Sequence, residues 1–147
     1  MTDERTMTGD PRVARVAALF QALEPADLDR LGEFYAADAR FKDPFNDVRG
    51  LDAVRGVFAH MFRALESPRF AVRDRVVQGD RAFLTWDFSF RLRGAPATHV
   101  VHGGSLITFD AHGRIAEHVD YWDSADLFET LPLVGAAMRW LKRRARG

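Results

Sequence analysis

The chain has 147 residues, 47% of them hydrophobic and 12% aromatic, enough for one domain with a substantial core and too few for two. Its 21 basic and 21 acidic residues balance, so no global field draws it to nucleic acid, and no nucleic-acid partner is expected. The lack of cysteine excludes disulfides, thiolate nucleophiles and cysteine-bound zinc.

Residues 1–10 are polar, lack the apolar run of a secretory leader, and read as a flexible tail. No stretch approaches the ~20 apolar residues of a membrane span, so a soluble, cytoplasmic protein is expected. Asp10-Pro11 is a helix-start signal, and Val13, Val16, Ala17, Phe20 and Leu23 follow at helical spacing. After the break at Glu24-Pro25, Leu28, Leu31, Phe34 and Tyr35 repeat again, which predicts a second helix ending at Asp38. Directly after it, Phe41-Lys42-Asp43-Pro44-Phe45 plants an acid among apolar residues, where burial favours a proton-transfer base. Gly50 opens a third helix with Val54, Val57, Phe58, Met61, Phe62 and Leu65 on one face, and Ser67-Pro68 ends it.

From residue 70 the period changes to alternation. Phe70–Gln78, Ala82–Arg93, Thr98–Phe109 and Arg114–Trp122 are predicted strands, separated by Gly79-Asp80, Gly94-Ala95-Pro96 and Asp110-Ala111-His112-Gly113. Tight turns between strands of this length predict an antiparallel meander. Leu84, Trp86, Phe88 and Phe90 share one face, as do His118, Asp120 and Trp122. Gly103-Gly104 suits a bend or bulge. The organisation is therefore α+β: three N-terminal helices over a curved antiparallel sheet spanning residues 11–130, then an amphipathic basic helix over 131–147.

Asp27-Leu28-Asp29, the run from Phe34 to Pro44 and the helix opening at Gly50 resemble the cone-shaped superfamily of nuclear transport factor 2, ketosteroid isomerase and SnoaL-like polyketide cyclases. The resemblance covers roughly residues 11–128 and implies a cone of helices and sheet around a cavity, with a homodimer formed through the outer sheet face. It matches Asp43 to the isomerase general base; the competing reading of Asp43-Pro44 is an ordinary turn. The isomerase's two oxyanion donors would fall at Leu19 and Ser105, and neither side chain replaces them, which argues against a faithful steroid isomerase. The segment His118-Val119-Asp120-Tyr121-Trp122-Asp123 also resembles the end of limonene epoxide hydrolase, with Asp120 at its catalytic aspartate. That enzyme's arginine and second aspartate would fall near Trp86 and Phe88, which cannot act for them.

Asp43, Asp120 and His118 are thus the candidate catalytic residues, and Leu19, Tyr35, Trp86, Phe88, Phe90, Ser105 and Trp122 the candidate pocket. His99 and His102, three apart on one strand, face opposite ways and do not make a metal pair; neither metal nor cofactor is expected. The expected function is general-base chemistry on an apolar, carbonyl-containing ligand of steroid or polyketide type. The alternatives are a non-catalytic apolar-ligand carrier, a dimeric accessory module, and epoxide hydrolysis. The basic helix is expected to close the cone or meet a second subunit rather than a membrane.

Overall fold

A computed structural model describes residues 9–129 and 132–146. The tail expected over 1–10 falls almost wholly outside the described residues, as do positions 130, 131 and 147 of the expected boundaries.

Helix α1, Pro11–Gln21, begins where Asp10 accepts the backbone N–H of Arg12 at 2.9 Å, a side-chain N-cap ahead of proline at the first helical position. Its apolar face, Val13, Val16, Ala17, Leu19 and Phe20, is buried. Arg12 fastens the helix to the far hairpin: Nη1 donates to Asp80 at 2.7 Å and Nη2 to the Gly79 carbonyl at 2.9 Å.

The expected second helix is corrected in two ways. Pro25–Glu33 is a 3-10 helix with a capping box between Glu24 and Asp27, and Tyr35–Lys42 is strand β1. The alanine-rich run favours a helix locally, but β1 pairs in parallel with the last strand, Phe41 opposite His118, and tertiary pairing overrides that weak preference. Tyr35, Ala39 and Phe41 are buried along the strand. The sheet is therefore not an all-antiparallel meander.

Strand β2, Asp47–Arg49, pairs back on β1. Gly50 caps helix α2, Leu51–Ala64, at φ 102°, a conformation that disfavours a side chain. The chain then passes directly into β3, Leu65–Gln78, so Ser67-Pro68 does not end the helix but lies within the strand. The pairing register shifts between Glu66 and Arg69, and Ser67 sits at φ 51°, a bulge that accommodates a proline unable to donate to the ladder. Strands β4, Arg81–Leu92, β5, Thr98–Phe109, and β6, Ile115–Trp122, follow close to their predicted bounds.

The six strands are ordered β2-β1-β6-β5-β4-β3, an open mixed sheet whose one face is covered by α1, the 3-10 helix and α2. The core joins Val13, Val16 and Phe20 of α1, Leu31 of the 3-10 helix, Val54 and Phe58 of α2, and Leu84, Ile107 and Ile115 of the sheet. Short α3, Ser124–Phe128, and α4, Pro132–Ala145, follow β6. Among the described residues no helix is long and apolar enough to cross a membrane.

Candidate active site

Parallel pairing of β1 with β6 and antiparallel pairing of β4, β5 and β6 bring five polar side chains into one line. On β6, alternation points His118 and Asp120 to the same face. Opposite Asp120 on β5 is Ser105, and Trp86 lies on β4 beyond it. Tyr35 enters from the start of β1.

The contacts are continuous. Trp86 Nε1–H donates to Ser105 Oγ at 2.9 Å. Ser105 Oγ donates to Asp120 Oδ1 at 2.5 Å, and His118 Nε2 meets the same oxygen at 2.6 Å. Tyr35 Oη lies 2.7 Å from His118 Nδ1. One assignment satisfies every member: Nε2 carries the imidazole proton towards Asp120, and the Tyr35 hydroxyl donates to Nδ1. All donors then point, directly or in relay, at Asp120. Burial first, and the charge of Asp120 second, push the Tyr35 phenol well above its usual range, so it serves as a donor and not a phenolate.

The polar chain is buried at its centre. The His118 and Ser105 residues are each 2% exposed. The imidazole packs edge-on against Phe41 at 4.7 Å, parallel to Tyr35 at 6.0 Å and tilted to Phe20 at 5.5 Å. Among the described residues only Oδ1 of Asp120 is hydrogen-bonded, leaving Oδ2 as the oxygen available to a ligand.

Asp120 lines a cavity of about 240 Å³ between α2 and the concave sheet. Its walls are aromatic, with Phe41, Phe45, Phe58, Phe70, Trp86, Phe88, Phe90 and Trp122 among the lining side chains. A close approach makes room for one of them. A Cβ on Gly103 would lie 2.5 Å from the Trp86 ring and 2.9 Å from Trp122 Cβ. Gly103-Gly104 thus admits aromatic rings, Gly104 doing the same for Phe83, and no register shift marks the pair, in place of the expected bend or bulge. A larger cleft of about 760 Å³, beside the start of β3, is open, touches no member of the polar chain and shares Leu65 and Phe90 with the cavity.

Asp43 also lines the cavity, at its rim, but its carboxylate is occupied by its own loop. Oδ1 accepts from Phe45 N at 2.8 Å, Asn46 N at 2.6 Å and Asn46 Nδ2 at 3.1 Å, and Oδ2 accepts from Asn46 Nδ2 at 3.1 Å. That is the geometry of an aspartate closing a turn between β1 and β2.

The sequence-predicted residues therefore divide. His118, Asp120, Ser105, Trp86 and Tyr35 form the chain; Phe88, Phe90 and Trp122 line the cavity. Leu19 is packed in the core and is not a lining residue, and Tyr35 stands behind His118 instead of facing the ligand space. Sequence reasoning named Ser105 as a pocket residue and missed Phe41, Phe45, His60 and Phe70 as walls. His99 and His102 separate as expected: His99 packs on the Phe90 ring at 5.7 Å, while His102 pairs on the outer face with Asp87. Among the described residues no three His, Asp or Glu side chains are gathered as metal ligands.

A half-cone of helices on a curved sheet, with an acid at the wall of an aromatic cavity and an imidazole behind it, is the nuclear transport factor 2-like fold. The chain belongs to the SnoaL-like domain family, whose pattern matches residues 16–118. The match ends at His118, so Asp120 and the two last helices lie beyond it. Similar solved structures include a ketosteroid isomerase-like protein from Catenulispora acidiphila in complex with trimethylamine, 21% identical with TM-score 0.71, covering 83% of this chain and 94% of that one. A candidate SnoaL-like polyketide cyclase from Jannaschia sp. CCS1 is 19% identical with TM-score 0.71, covering 81% and 92%. TerC, co-crystallised with polyporic acid, is 19% identical with TM-score 0.70, covering 82% and 97%. No curated protein matches the chain.

Proposed function

We propose that the protein is a small-molecule enzyme in which Asp120 moves a proton on an apolar, carbonyl-bearing ligand held in the aromatic cavity. The observation that carries this is the asymmetry of the Asp120 carboxylate: Oδ1 is tied by Ser105 and His118, while Oδ2 is left to the ligand. Asp43 was the other candidate base, but four hydrogen bonds from its own loop suit it to holding the rim instead.

Some donors around the cavity are already committed, while the His60 and Trp122 side chains that line it make no hydrogen bond among the described residues. The Ser105 hydroxyl is committed to Asp120, the Trp86 N–H to Ser105 and the Asn46 amide to Asp43. A carbon acid that spreads its charge over its own conjugated carbonyls, a 1,3-dicarbonyl of polyketide type, asks least of these donors. Size points the same way. At the ~0.74 packing density of protein interiors, the cavity of about 240 Å³ encloses on the order of ten non-hydrogen atoms, one or two rings, and a larger ligand would extend past its rim. Structures of this fold were solved with organic molecules of different size, trimethylamine in one and polyporic acid in another.

In the step, Oδ2 takes a proton from the carbon between two carbonyls, the C–H electrons pass into the conjugated enolate, and Asp120 returns the proton to the same or a vinylogous carbon. His118 and Ser105 hold the carboxylate, and Tyr35 holds His118. Proton exchange into cyclic 1,3-dicarbonyls in deuterated water, followed by NMR, tests it. Asp120→Asn should slow exchange by about 10²–10⁴-fold, while Asp43→Asn largely retains it. Equal exchange by wild type and Asp120→Asn would refute the assignment. Saturable quenching of Trp86 and Trp122 with no exchange would establish the carrier reading in its place.

The same reading pairs two copies through the outer sheet face, where Val76, Phe83, Val100 and Tyr121 are exposed, an assembly that sedimentation equilibrium measures directly.

A further inference from the structure

Helix α4 has two unlike sides. One is fastened to α3: Lys142 Nζ meets Asp126 at 2.8 Å, Glu129 at 3.1 Å and Asp123 at 3.9 Å, and Arg139 Nη1 donates to the Glu129 carbonyl at 2.9 Å. Gly135 lies on this side, and a Cβ there would collide with the Glu129 carbonyl, so the absence of a side chain lets the two helices close on each other. The other side is a stripe of Val134, Ala137, Met138 and Leu141, at the spacing that places side chains on one helical face. It does not close the cone, one of the two roles the sequence had suggested beside contact with a second subunit. Val134 is 44% exposed, Leu141 52%, and the adjacent Trp140 54%.

The charge around the stripe is of one sign. Between residues 132 and 146 the chain carries Arg139, Lys142, Arg143, Arg144 and Arg146 and no acidic residue, in a protein whose total charge is zero. Lys142 and Arg139 are occupied by α3, whereas Arg143, Arg144 and Arg146 are exposed, with Arg144 lying over the Trp140 ring at 5.4 Å. An exposed apolar stripe flanked by arginines, with a tryptophan at its border, matches the interface of an anionic bilayer: the stripe enters the acyl boundary, the ring takes the headgroup level, and the guanidinium groups meet lipid phosphates. A second protein copy would have to bring matching acids to three free arginines, yet the acids nearest this helix, Asp123, Asp126 and Glu129, are already held by Lys142.

We propose that α4 docks the protein on the surface of membranes rich in anionic lipid, lying in the plane of the interface without spanning it. Position gives the contact a use. Helix α3, to which α4 is clamped, contributes Leu127 to the cavity wall, and its Phe128 packs on Phe45, which packs in turn on Trp122. Docking through α4 sets the rim of an apolar cavity beside the phase in which apolar ligands dissolve. The inference is independent of what Asp120 does to the ligand.

Co-sedimentation of the full chain with vesicles of phosphatidylcholine, alone or mixed with phosphatidylglycerol, tests the proposal. Binding should appear with the anionic vesicles, fall steeply with added salt, and shift the Trp140 emission to the blue in a Trp86→Phe/Trp122→Phe background. Reversal of Arg143, Arg144 and Arg146 to Glu should weaken partitioning by at least about a hundredfold, since each basic residue near such a surface is worth about fivefold. Leu141→Asp should abolish the blue shift. Circular dichroism and urea midpoints confirm that these surface variants stay folded. Equal binding to neutral vesicles, no binding to anionic ones, or binding insensitive to the arginine reversals would overturn the proposal. So would self-association abolished by Leu141→Asp without vesicle binding, which would assign the stripe to a second copy.

Discussion

Ser105→Ala removes one oxygen, and the structure says that two partners lose by it. Trp86 Nε1, 2.9 Å away, is left as a buried donor without an acceptor, which costs about 1–3 kcal/mol. Asp120 loses a charge-assisted hydrogen bond of 2.5 Å, worth roughly 1.5–3 kcal/mol. The site is 2% exposed and walled by aromatic rings, so water does not readily replace the hydroxyl, and the small apolar gain of the alanine methyl offsets little. The expected loss is about 3–5 kcal/mol. With a urea slope of about 2 kcal/mol/M, the unfolding midpoint should fall by roughly 1.5–2.5 M with an unchanged slope. Ser105→Ala paired with Trp86→Phe completes the cycle: because Phe leaves no donor behind, the double variant should be less destabilised than the sum of the singles. Near-ultraviolet circular dichroism reports whether the indole at position 86 has reoriented. A midpoint within about 0.3 M of wild type, or strict additivity of the pair, would refute the continuous chain from Trp86 to Asp120.

Two further outcomes are expected. Asp10 caps α1 and is held below the usual carboxylate range chiefly by its hydrogen bond to the Arg12 side chain. A depressed folded-state pKa contributes stability above the unfolded value of ~3.9, and that contribution disappears as the pH falls through the lower folded value. Asp10→Ala should therefore cost about 1 kcal/mol at neutral pH, lowering Tm by about 4 °C, with a difference that shrinks in acid; a gap that stays constant down to acid pH would contradict the pairing. Val100, 51% exposed on the outer sheet face, should be central to subunit pairing. Val100→Asp should yield a folded monomer in sedimentation equilibrium, and an unchanged assembly state would remove this face from the interface.

Where a segment's conformation follows from its own period, the sequence was sufficient. The α1 start at Asp10-Pro11 and the bounds of β5 were legible because a cap and turn residues act over a few positions. The alternation placing His118 and Asp120 on one face, and Trp86, Phe88 and Phe90 on another, was legible for the same local reason. The stretch from Tyr35 to Lys42 was not. Its residues favour a helix when taken alone, and only hydrogen bonds to β6, some 80 positions later in the chain, make it a strand. Asp43 shows the same limit at a single residue: its setting suggested a buried base, while the folded loop turns both its oxygens onto Asn46.

By itself, the sequence determined an α+β cone, most of its strand phases and the residues available for chemistry, since composition, spacing and turn chemistry are local properties. Tertiary structure decided which of those residues meet. Parallel pairing of β1 with β6 places Tyr35 against His118, glycine at position 103 lets the Trp86 ring reach Ser105, and the β5–β6 register sets Ser105 against Asp120. Contacts between residues far apart in the chain depend on strand order and register, which short-range patterns do not encode.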